Sequence, residues 1–278
     1  GVPLIEEDCT EEFEQQVVEP FCAQYCAGRT PSPCVLCNPR VKFAALARVA
    51  DRLGIRYIAT GHYARVTEEN GLYYVRAAVS PERDQSYMLY GLPQNILARL
   101  CLPVGEFEKS DIREMAASAQ LASADAPDSQ EICFIPDGDY AAYIAARGLV
   151  PLQGRFIGPD GEDLGPHKGV WHYTVGQRKG LNIAYGTPLF VRRIRPNGDV
   201  ELARGGDEFF SGIVLTDAAR ADGRPILPGE RYGVKVRSRA AAASCTVEAA
   251  ENGSHPYAAQ GGKRHHGNRC ARRCGRHP

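Results

Sequence analysis

The periodicity of the sequence changes near Tyr140, and no other feature restricts the possible folds as much. Before this point, segments with the helical spacing of apolar residues alternate with short apolar runs that are typical of buried strands. Such alternation favours an α/β domain built on a parallel sheet. After it, the helical spacing ends, and glycine, proline and turn pairs such as Asn197-Gly198 separate short strands. The sequence therefore predicts an α/β domain followed by β-rich structure.

Shifts in composition divide the chain into four predicted segments. The α/β domain takes residues 1–139, a small central β-rich domain takes 140–205, and an incomplete C-terminal β-barrel takes 206–252. The strands predicted for the two β-rich segments are 187–194, 200–203, 212–216, 232–237 and 245–248. The fourth segment, 253–278, is an aberrant basic tail.

The basic tail has a composition that does not suit a barrel strand. Residues 253–278 contain six lysine and arginine residues, no acid and almost no aliphatic side chain, so they cannot bury a strand face. We expect the barrel to end before them, with an unpaired edge at the strand 245–248. A reading-frame shift in GC-rich coding sequence would produce such residues and is our preferred explanation. A disordered basic arm is the alternative.

The first helix of the α/β domain has clear start and stop signals. Thr10 is placed to cap it, and Gly28 is placed to end it. Its apolar face, with a spacing of four, consists of Phe13, Val17, Phe21 and Tyr25. Further predicted elements are a strand at 72–79, a helix that Ser110 caps and that ends near residue 121, and a helix at 140–147.

A second helix and a strand lead to a candidate ligand position. The helix is predicted at 44–53 and the strand at 55–59. The predicted buried face of the helix consists of Leu46, Val49 and Leu53. Gly61 and His62 follow the strand directly, and ligands of open parallel sheets bind beyond the carboxyl ends of strands.

Composition is that of a globular protein without a membrane segment. The 278 residues are 44% hydrophobic, with no apolar run long enough to span a bilayer and no basic-then-apolar leader, so we expect a cytoplasmic location. The ten cysteines predict reduced thiols, because a chain of this length can build a core without a disulfide framework. The net charge is zero, so a nucleic-acid site must be a local basic patch.

Two short segments each place a cysteine beside apolar residues in a polar turn. The first is 33–38, Pro-Cys-Val-Leu-Cys-Asn, and the second is 128–134, Asp-Ser-Gln-Glu-Ile-Cys-Phe. Their apolar neighbours could anchor both loops and leave the thiols in one cleft. We interpret Cys37 and Cys133 as a sulfur-handling pair. The alternative is that both are small hydrophobic residues of the core.

Five segments in order resemble the tRNA-specific 2-thiouridylases. They are 28–38 continuing into 41–43, then 59–65, 83–87, 128–134 and 167–169 running into 173–181. Agreement of five ordered segments is not expected by chance. The likeness covers roughly residues 1–250. It implies that the first domain is the remainder of a parallel-sheet, adenine-nucleotide hydrolase-like domain of the pyrophosphate-loop type.

The resemblance implies ATP-dependent 2-thiolation of the wobble uridine in a tRNA anticodon loop. ATP with Mg²⁺ would activate the uridine as an O-adenylate, and sulfur from a cysteine persulfide would then replace AMP. A cysteine desulfurase or sulfur-relay protein would deliver this sulfur. By position, Cys133 matches the persulfide carrier and Cys37 matches the thiol that releases the sulfur, which leaves a transient disulfide between the two.

Other positions match ligand contacts of the family. Gly61 matches a contact to ATP. The positions that match tRNA contacts are Ser32, Pro33, Cys34, His62, Arg83, Asp84, Gln85, Lys168, Arg178, Lys179, Arg237 and Ser238. Read without the motifs, these residues would be solvated turns and satisfied polar groups. Cys34 stands where a common family variant has an aspartate that could move a proton near the target base.

Two other interpretations remain open from the residues. The spacing of Cys22, Cys26, Cys34 and Cys37 resembles a zinc or iron–sulfur ligand set, which would make the chain a non-catalytic, metal-stabilised RNA-binding module. Because Cys22 and Cys26 fall one turn apart on a helix, we interpret them as packing residues and predict no metal site. The other alternative is a different adenylating enzyme of the same fold, such as an argininosuccinate or GMP synthetase. Such enzymes have no need of two loop thiols.

The sequence departs from the family at the pyrophosphate loop. The Ser-Gly-Gly-x-Asp-Ser-Ser pattern, whose backbone N–H groups would hold the ATP phosphates, is not present. Residues 1–5 look like the end of a buried strand, so we expect the start of the family's chain to be missing. This predicts a chain that carries the sulfur thiols without the groups for adenylation.

Overall fold

The computed structural model describes residues 2–121, 124, 132–207, 209–215, 218–238, 240–248 and 257–266. A mixed α/β part comes first, and two four-stranded sheets follow it along the chain. This order confirms the predicted α/β fold with β-rich structure after it. The described strands do not close into a barrel. None of the helices in the described ranges combines the length and the apolarity needed to cross a membrane.

The first helical stretch contains a π-helical turn. It consists of α1 (Thr10–Phe13), the π-turn (Glu14–Val18) and α2 (Glu19–Cys26). The predicted apolar face is confirmed, since Val17, Phe21 and Tyr25 are buried. Gly28 follows at a φ of 68°, which glycine adopts without strain. The predicted cap is wrong, because Thr10 is itself helical and donates its hydroxyl and backbone N–H to the Asp8 carboxylate.

The second helical stretch carries the first cysteine motif. It consists of α3 (Pro33–Cys37), a π-turn (Asn38–Lys42) and α4 (Phe43–Arg52). The buried face predicted for α4 is wrong, since Leu46 and Leu53 are 37% and 48% exposed. Phe43, which lies just before the predicted start of the helix, is fully buried against Ala64 and Leu89 and turns a different side of α4 towards the core.

The parallel sheet of the α/β part is short. It pairs β1 (Ile58–Ala59) with β4 (Leu100–Cys101), while β2 (Ala64–Glu69) and β3 (Leu72–Ala77) form an antiparallel hairpin. The Asn70-Gly71 turn has positive φ at both residues, as a two-residue hairpin requires. The remaining helices of this part are α5 (Ser86–Leu89), α6 (Gln94–Leu97), the 3₁₀ turn (Pro103–Glu106) and α7 (Lys109–Ser118). Ser110 lies inside α7 and is not its cap, which is at Glu108.

The central sheet has the strand order β6-β5-β8-β7, with β5 and β8 parallel. The elements are α8 (Tyr140–Ala145), β5 (Arg155–Ile157), β6 (Asp163–Pro166), the 3₁₀ turn (Val170–His172), β7 (Leu189–Ile194) and β8 (Val200–Arg204). Asp139 caps α8 by accepting a 2.9 Å hydrogen bond from the Ala142 N–H. Apolar residues from β5, β7 and β8 pack with Tyr173 and Leu181 into one cluster.

The C-terminal sheet has the strand order β10-β11-β12-β9. Its strands are β9 (Phe209–Leu215), β10 (Arg231–Val234), β11 (Ala243–Glu248) and β12 (Tyr257–His266). The expectation that β11 would have an unpaired edge is therefore wrong, because β12 pairs with both β11 and β9. The reason is that a ladder consists of backbone hydrogen bonds, which even a segment with few apolar side chains can make.

A matched pair of leucine truncations tests which side of α4 faces the core. Leu89→Ala is expected to lower the free energy of unfolding by about 2–5 kcal/mol, because it opens a cavity beside Phe43. Leu53→Ala removes the same atoms from an exposed position and is expected to change it by at most about 0.5 kcal/mol. Urea unfolding followed by circular dichroism measures both. A loss of unfolding free energy for Leu53→Ala as large as that for Leu89→Ala would show that the predicted face of Leu46, Val49 and Leu53 is buried.

Candidate functional site

The position of Cys133 is fixed by the residues on either side of it. Ile132, Phe134 and Ile135 pack into the cluster formed by α2, α8 and the 3₁₀ turn at Trp171, while Cys133 is exposed. The Phe134 ring meets the rings of Phe13 and Phe21 edge-on at 5.4 and 5.3 Å. The preceding motif residues 128–131 lie outside the described residues. Cys133 is thus presented to solvent from an anchored turn.

Cys34 and Cys37 lie on one turn of α3. Pro33 at the start of this helix is buried, and Ser32 before it places its hydroxyl 3.6 Å from the Met88 sulfur. Asn38, which is buried directly after Cys37, donates its amide to the Met88 carbonyl at 2.9 Å. These contacts attach the first cysteine motif to α5. Cys34 is left exposed and Cys37 half-buried.

Cys133 lies close enough to Cys34 and Cys37 for its charge to act on the pKa of both thiols. Loss of hydration among protein atoms raises the pKa of the Cys34 and Cys37 thiols, and the nearby Cys133 sulfur raises both further. The described cysteines are all free thiols. The predicted pairing of Cys37 with Cys133 stays a prediction, and Cys34 lies on the same helical turn as Cys37.

Lys42 supplies the positive charge of this site. Its ammonium group opposes the effect of burial and lowers the pKa of the Cys34 and Cys37 thiols. Its backbone N–H also donates to the Cys37 sulfur, which favours the thiolate. Both interactions follow from the π-turn, which brings the residue five positions after Cys37 back beside it. Nearby cations are a recognised cause of thiol activation.

Gly61 and His62 follow the end of β1, as the sequence predicted. Gly61 is exposed, and a Cβ at this position would meet no atom within 4 Å, so the backbone borders open space. His62 is half-buried against Phe43 and lies 2.9 Å from the Thr60 hydroxyl through Nδ1. Burial, together with the charge of Lys42, lowers the pKa of His62 to about 4. The imidazole is therefore neutral at physiological pH.

The Arg83-Asp84-Gln85 turn lies beside the His62 loop. Gln85 accepts a 2.8 Å hydrogen bond from the Tyr63 N–H through its side-chain oxygen. The Asp84 carboxylate is only 6% exposed, and it accepts hydrogen bonds from the Ala78 and Ser86 N–H groups at 3.1 Å. Of the two side chains, that of Asp84 is therefore committed to shaping the turn, while Gln85 remains exposed.

The predicted basic residues of the central part lie on exposed loops. Lys168, Arg178 and Lys179 are all exposed. The Gln177 side chain holds the second loop by accepting from the Thr174 N–H at 2.9 Å and donating to the Lys179 carbonyl at 3.0 Å. The Thr174 hydroxyl in turn lies 3.3 Å from that of Thr30, four residues before Cys34. The loop that carries Arg178 and Lys179, which we name the basic loop, is thereby joined to the segment that carries Cys34 and Cys37.

Arg237 and Ser238 follow β10 in the C-terminal part. The Arg237 guanidinium donates a hydrogen bond to the Val175 carbonyl, beside Thr174. The Lys235 ammonium lies 3.4 Å from the Asp84 carboxylate. Through these contacts the C-terminal sheet touches both other parts next to the predicted site residues.

The alternative metal interpretation has no support in the described part of the chain. No group of three or more histidine, cysteine, aspartate or glutamate residues there could hold a metal ion. Cys22 is buried in the cluster around Phe21, and Cys26 packs against that cluster. Both are packing residues, as we interpreted them from their helical spacing.

Comparisons with known proteins match two consecutive families. A family described as "tRNA methyl transferase HUP domain" matches residues 1–137, and one described as "tRNA methyl transferase PRC-barrel domain" matches residues 143–200. A curated relative, the tRNA-specific 2-thiouridylase MnmA of Solibacter usitatus, is 42% identical over 260 residues, which covers 90% of this chain and 70% of the relative. The chain belongs to the tRNA-specific 2-thiouridylase family. This confirms the resemblance seen in the five sequence segments.

Two further relatives in the 2-thiouridylase family match a shorter range. The proteins of Carboxydothermus hydrogenoformans and Syntrophotalea carbinolica are 43% and 47% identical over 78% and 69% of this chain. These matches cover 60% and 54% of the relatives' own lengths. The chain therefore spans between 54% and 70% of the lengths of these three relatives.

Sequence reasoning missed the contribution of Lys42 to this candidate site. The Val41-Lys42-Phe43 segment contributed to the resemblance, but no role was predicted for the lysine. Its spacing from Cys37 suggests a position on a different face of an ordinary α-helix. Only the π-turn, with its wider spacing, places it beside the thiol.

Replacement of Lys42 should move two pKa values in the same direction for different reasons. Lys42→Gln is expected to raise the pKa of His62 above about 4, because a cation that disfavours imidazolium is removed. It is expected to raise the pKa of Cys37 because a cation that favours the thiolate is lost. Imidazole ¹⁵N NMR against pH and the pH profile of iodoacetamide alkylation measure the two.

Arg40→Gln is the control, because Arg40 is an exposed cation of the same π-turn that does not affect either pKa. Identical titrations of His62 and Cys37 in the wild type and Lys42→Gln would contradict this account of the site.

Proposed function

We propose that this chain acts in the 2-thiolation of the wobble uridine of tRNA as a tRNA-uridine sulfurtransferase. The main support is electrostatic: Cys133, on a separate segment, and Lys42 both lie near enough to Cys34 and Cys37 to act on the pKa of these thiols. Membership of the 2-thiouridylase family agrees with it. The family matched over residues 1–137 is described as a methyl transferase, but methyl transfer gives no use to several converging thiols. Sulfur transfer does.

In the proposed reaction, Cys133 carries the transferable sulfur as a persulfide. The exposed position of Cys133 suits delivery by a cysteine desulfurase or a sulfur-relay protein. The Cys37 thiolate attacks the inner sulfur of this persulfide, so that a Cys37–Cys133 bond forms and the sulfur–sulfur bond of the persulfide breaks. The terminal sulfur leaves with the electron pair and forms a bond to carbon 2 of the uridine, while the activated oxygen at carbon 2 departs with the electron pair of the carbon–oxygen bond. An external dithiol then reduces the disulfide.

Residues of this chain can be given roles in that step. Lys42 favours the Cys37 thiolate, and Asn38 holds the turn that presents it. Neutral His62 cannot add charge repulsion to a cation nearby and is free to accept or donate one hydrogen bond to an RNA group. The site thus combines a nucleophile, its counter-charge and a neutral polar group.

Adenylation of the uridine would require ATP with Mg²⁺. The backbone at Gly61 fits a nucleotide, because open space borders it. The Ser-Gly-Gly-x-Asp-Ser-Ser pattern, which would hold the phosphates, does not occur in the 278 residues of this sequence. ATP supplies the leaving group in the family's reaction.

The proposed tRNA surface runs from the thiols to the basic loop. Ser32, Pro33 and Cys34 would adjoin the extruded target base, because chemistry on a base requires it to leave the stack. Lys168, Arg178 and Lys179 are exposed and would meet the anticodon-loop phosphates. Arg83, Gln85, Arg237 and Ser238 would complete the surface, with Asp84 supporting it from within. Such a partner is consistent with a cytoplasmic location.

A labelling experiment tests the roles of Cys133 and Cys37. After treatment with inorganic polysulfide, the peptide with Cys133 is expected to gain one sulfur atom, detected by mass spectrometry. In Cys37→Ser this persulfide is expected to persist, because the thiolate that releases the sulfur is gone. Cys133→Ser should abolish the label. Cys101→Ser, which alters an exposed thiol elsewhere, is the control.

Retention of the sulfur on another cysteine in Cys133→Ser would contradict the assignment of the carrier. Equal persulfide lifetimes in the wild type and Cys37→Ser would contradict the role of Cys37.

Removal of two cations from the basic loop should weaken tRNA binding through lost phosphate contacts. For Arg178→Gln with Lys179→Gln, the slope of log affinity against log salt is expected to fall by roughly 0.7–0.9 for each cation that contacts a phosphate. Filter binding with a tRNA that has uridine at the wobble position measures it. Arg52→Gln with Arg56→Gln, at the far end of α4, is the control. An unchanged slope in the loop variant would remove this loop from the tRNA surface.

A further inference from the structure

Cys34 and Cys37 have the spacing and the local structure of a second disulfide pair. They are three residues apart on α3, where side chains lie on the same face of a helix. Helical geometry separates Cα atoms at this spacing by about 5 Å. Disulfides form at Cα separations of roughly 4.4–6.8 Å. Cys34 can therefore reach Cys37 with little backbone movement.

Cys34 also lies within electrostatic range of Cys133, the partner of Cys37 in the proposed reaction. The Cys133 sulfur raises the pKa of the Cys34 thiol. The pKa of the Cys37 thiol is raised by both Cys34 and Cys133. All three are accessible to solvent to some degree, and the described cysteines are free. Three thiols in this arrangement allow a disulfide to move from one pair to another by exchange, which needs only a thiolate and a disulfide in line.

We propose that Cys34 is a third exchange-active thiol, which resolves the disulfide between Cys37 and Cys133 and so frees Cys133. This inference rests on the proposed function, since that function forms the Cys37–Cys133 disulfide. The proposed reaction uses the thiols of Cys133 and Cys37, and the exchange gives the Cys34 thiol a role as well.

The exchange step is balanced without any further reactant. The Cys34 thiolate attacks the Cys37 sulfur, a Cys34–Cys37 bond forms, and the Cys37–Cys133 bond breaks with its electron pair on Cys133. One thiolate is consumed and one is produced, so the number of oxidised cysteines is unchanged. An external dithiol later reduces the Cys34–Cys37 disulfide, and it can attack at the exposed Cys34 sulfur.

Exchange separates two events that would otherwise compete at Cys133. The freed Cys133 can accept the next sulfur from a donor while the disulfide remains in α3, between Cys34 and Cys37. Lys42 is placed to assist, since its charge favours the thiolates of both Cys34 and Cys37. Because protein atoms raise the pKa of the Cys34 thiol, the exchange rate is expected to increase as pH rises above neutral.

Tryptic peptides distinguish the two disulfides directly. Cys34 and Cys37 lie on one peptide, 30–40, whereas Cys133 lies on another, 114–147. The reduced 278-residue chain is treated with one equivalent of diamide, quenched with acid at successive times, alkylated and digested. In the wild type, the cross-linked pair of peptides is expected to appear first and then to be lost as peptide 30–40 with an internal disulfide accumulates. The number of free thiols should stay constant during the second phase.

Cys34→Ser is expected to stop at the cross-linked pair, which should persist. Cys101→Ser should behave as the wild type, because its thiol lies outside the cluster. A wild-type cross-link that persists as in Cys34→Ser would overturn the role of Cys34 and leave the proposed function intact. Failure of Cys34→Ser to form the cross-link at all would instead overturn the Cys37–Cys133 disulfide of the proposed function, and with it the exchange.

Discussion

The packing of Phe134 against the first helices is the interaction on which the candidate site depends. Its ring contacts those of Phe13, Phe21 and Tyr143, and pairs of this kind contribute roughly 0.5–1.5 kcal/mol each beyond the area they bury. The ion pair of Arg147 with Glu14 joins the same elements, but exposed pairs contribute only about 0–1 kcal/mol. Aromatic packing therefore contributes more than the ion pair to fixing the position of the turn that carries Cys133.

With Cys133 held in this way, the chemistry of the site is set by two opposing effects on the thiols. Protein atoms around Cys34 and Cys37 favour the neutral thiol, and the Lys42 charge favours the thiolate. Burial is the larger effect, so both pKa values lie above the ordinary value. In the proposed reaction, a thiol that is mostly protonated at rest would be protected from random oxidation and would still react with a persulfide brought into line with it. Because the π-turn places Lys42 beside Cys37, burial and the Lys42 charge both act on the pKa of Cys37.

The elements with strong local signals could be predicted from the sequence, while the features set by tertiary contacts could not. The face of Val17, Phe21 and Tyr25 and the packing role of Cys22 followed from helical spacing. The convergence of the two cysteine motifs, which the resemblance implies, stays a prediction. The buried side of α4 was wrong because Phe43, outside the predicted helix, determines it. The pairing of β12 was missed because its backbone hydrogen bonds leave no trace in side-chain composition.

The same distinction applies to the Arg83-Asp84-Gln85 turn. The resemblance predicts that these residues contact RNA, yet Asp84 is almost fully buried and accepts hydrogen bonds from its own turn and from Lys235. A carboxylate in contact with RNA would also repel phosphates, so a buried position removes an unfavourable charge from the surface. In the proposed tRNA surface, Asp84 would therefore act indirectly, because it fixes the turn that presents Gln85 and contacts Lys235 beside the C-terminal sheet. Within this motif, one residue organises the surface that the others provide.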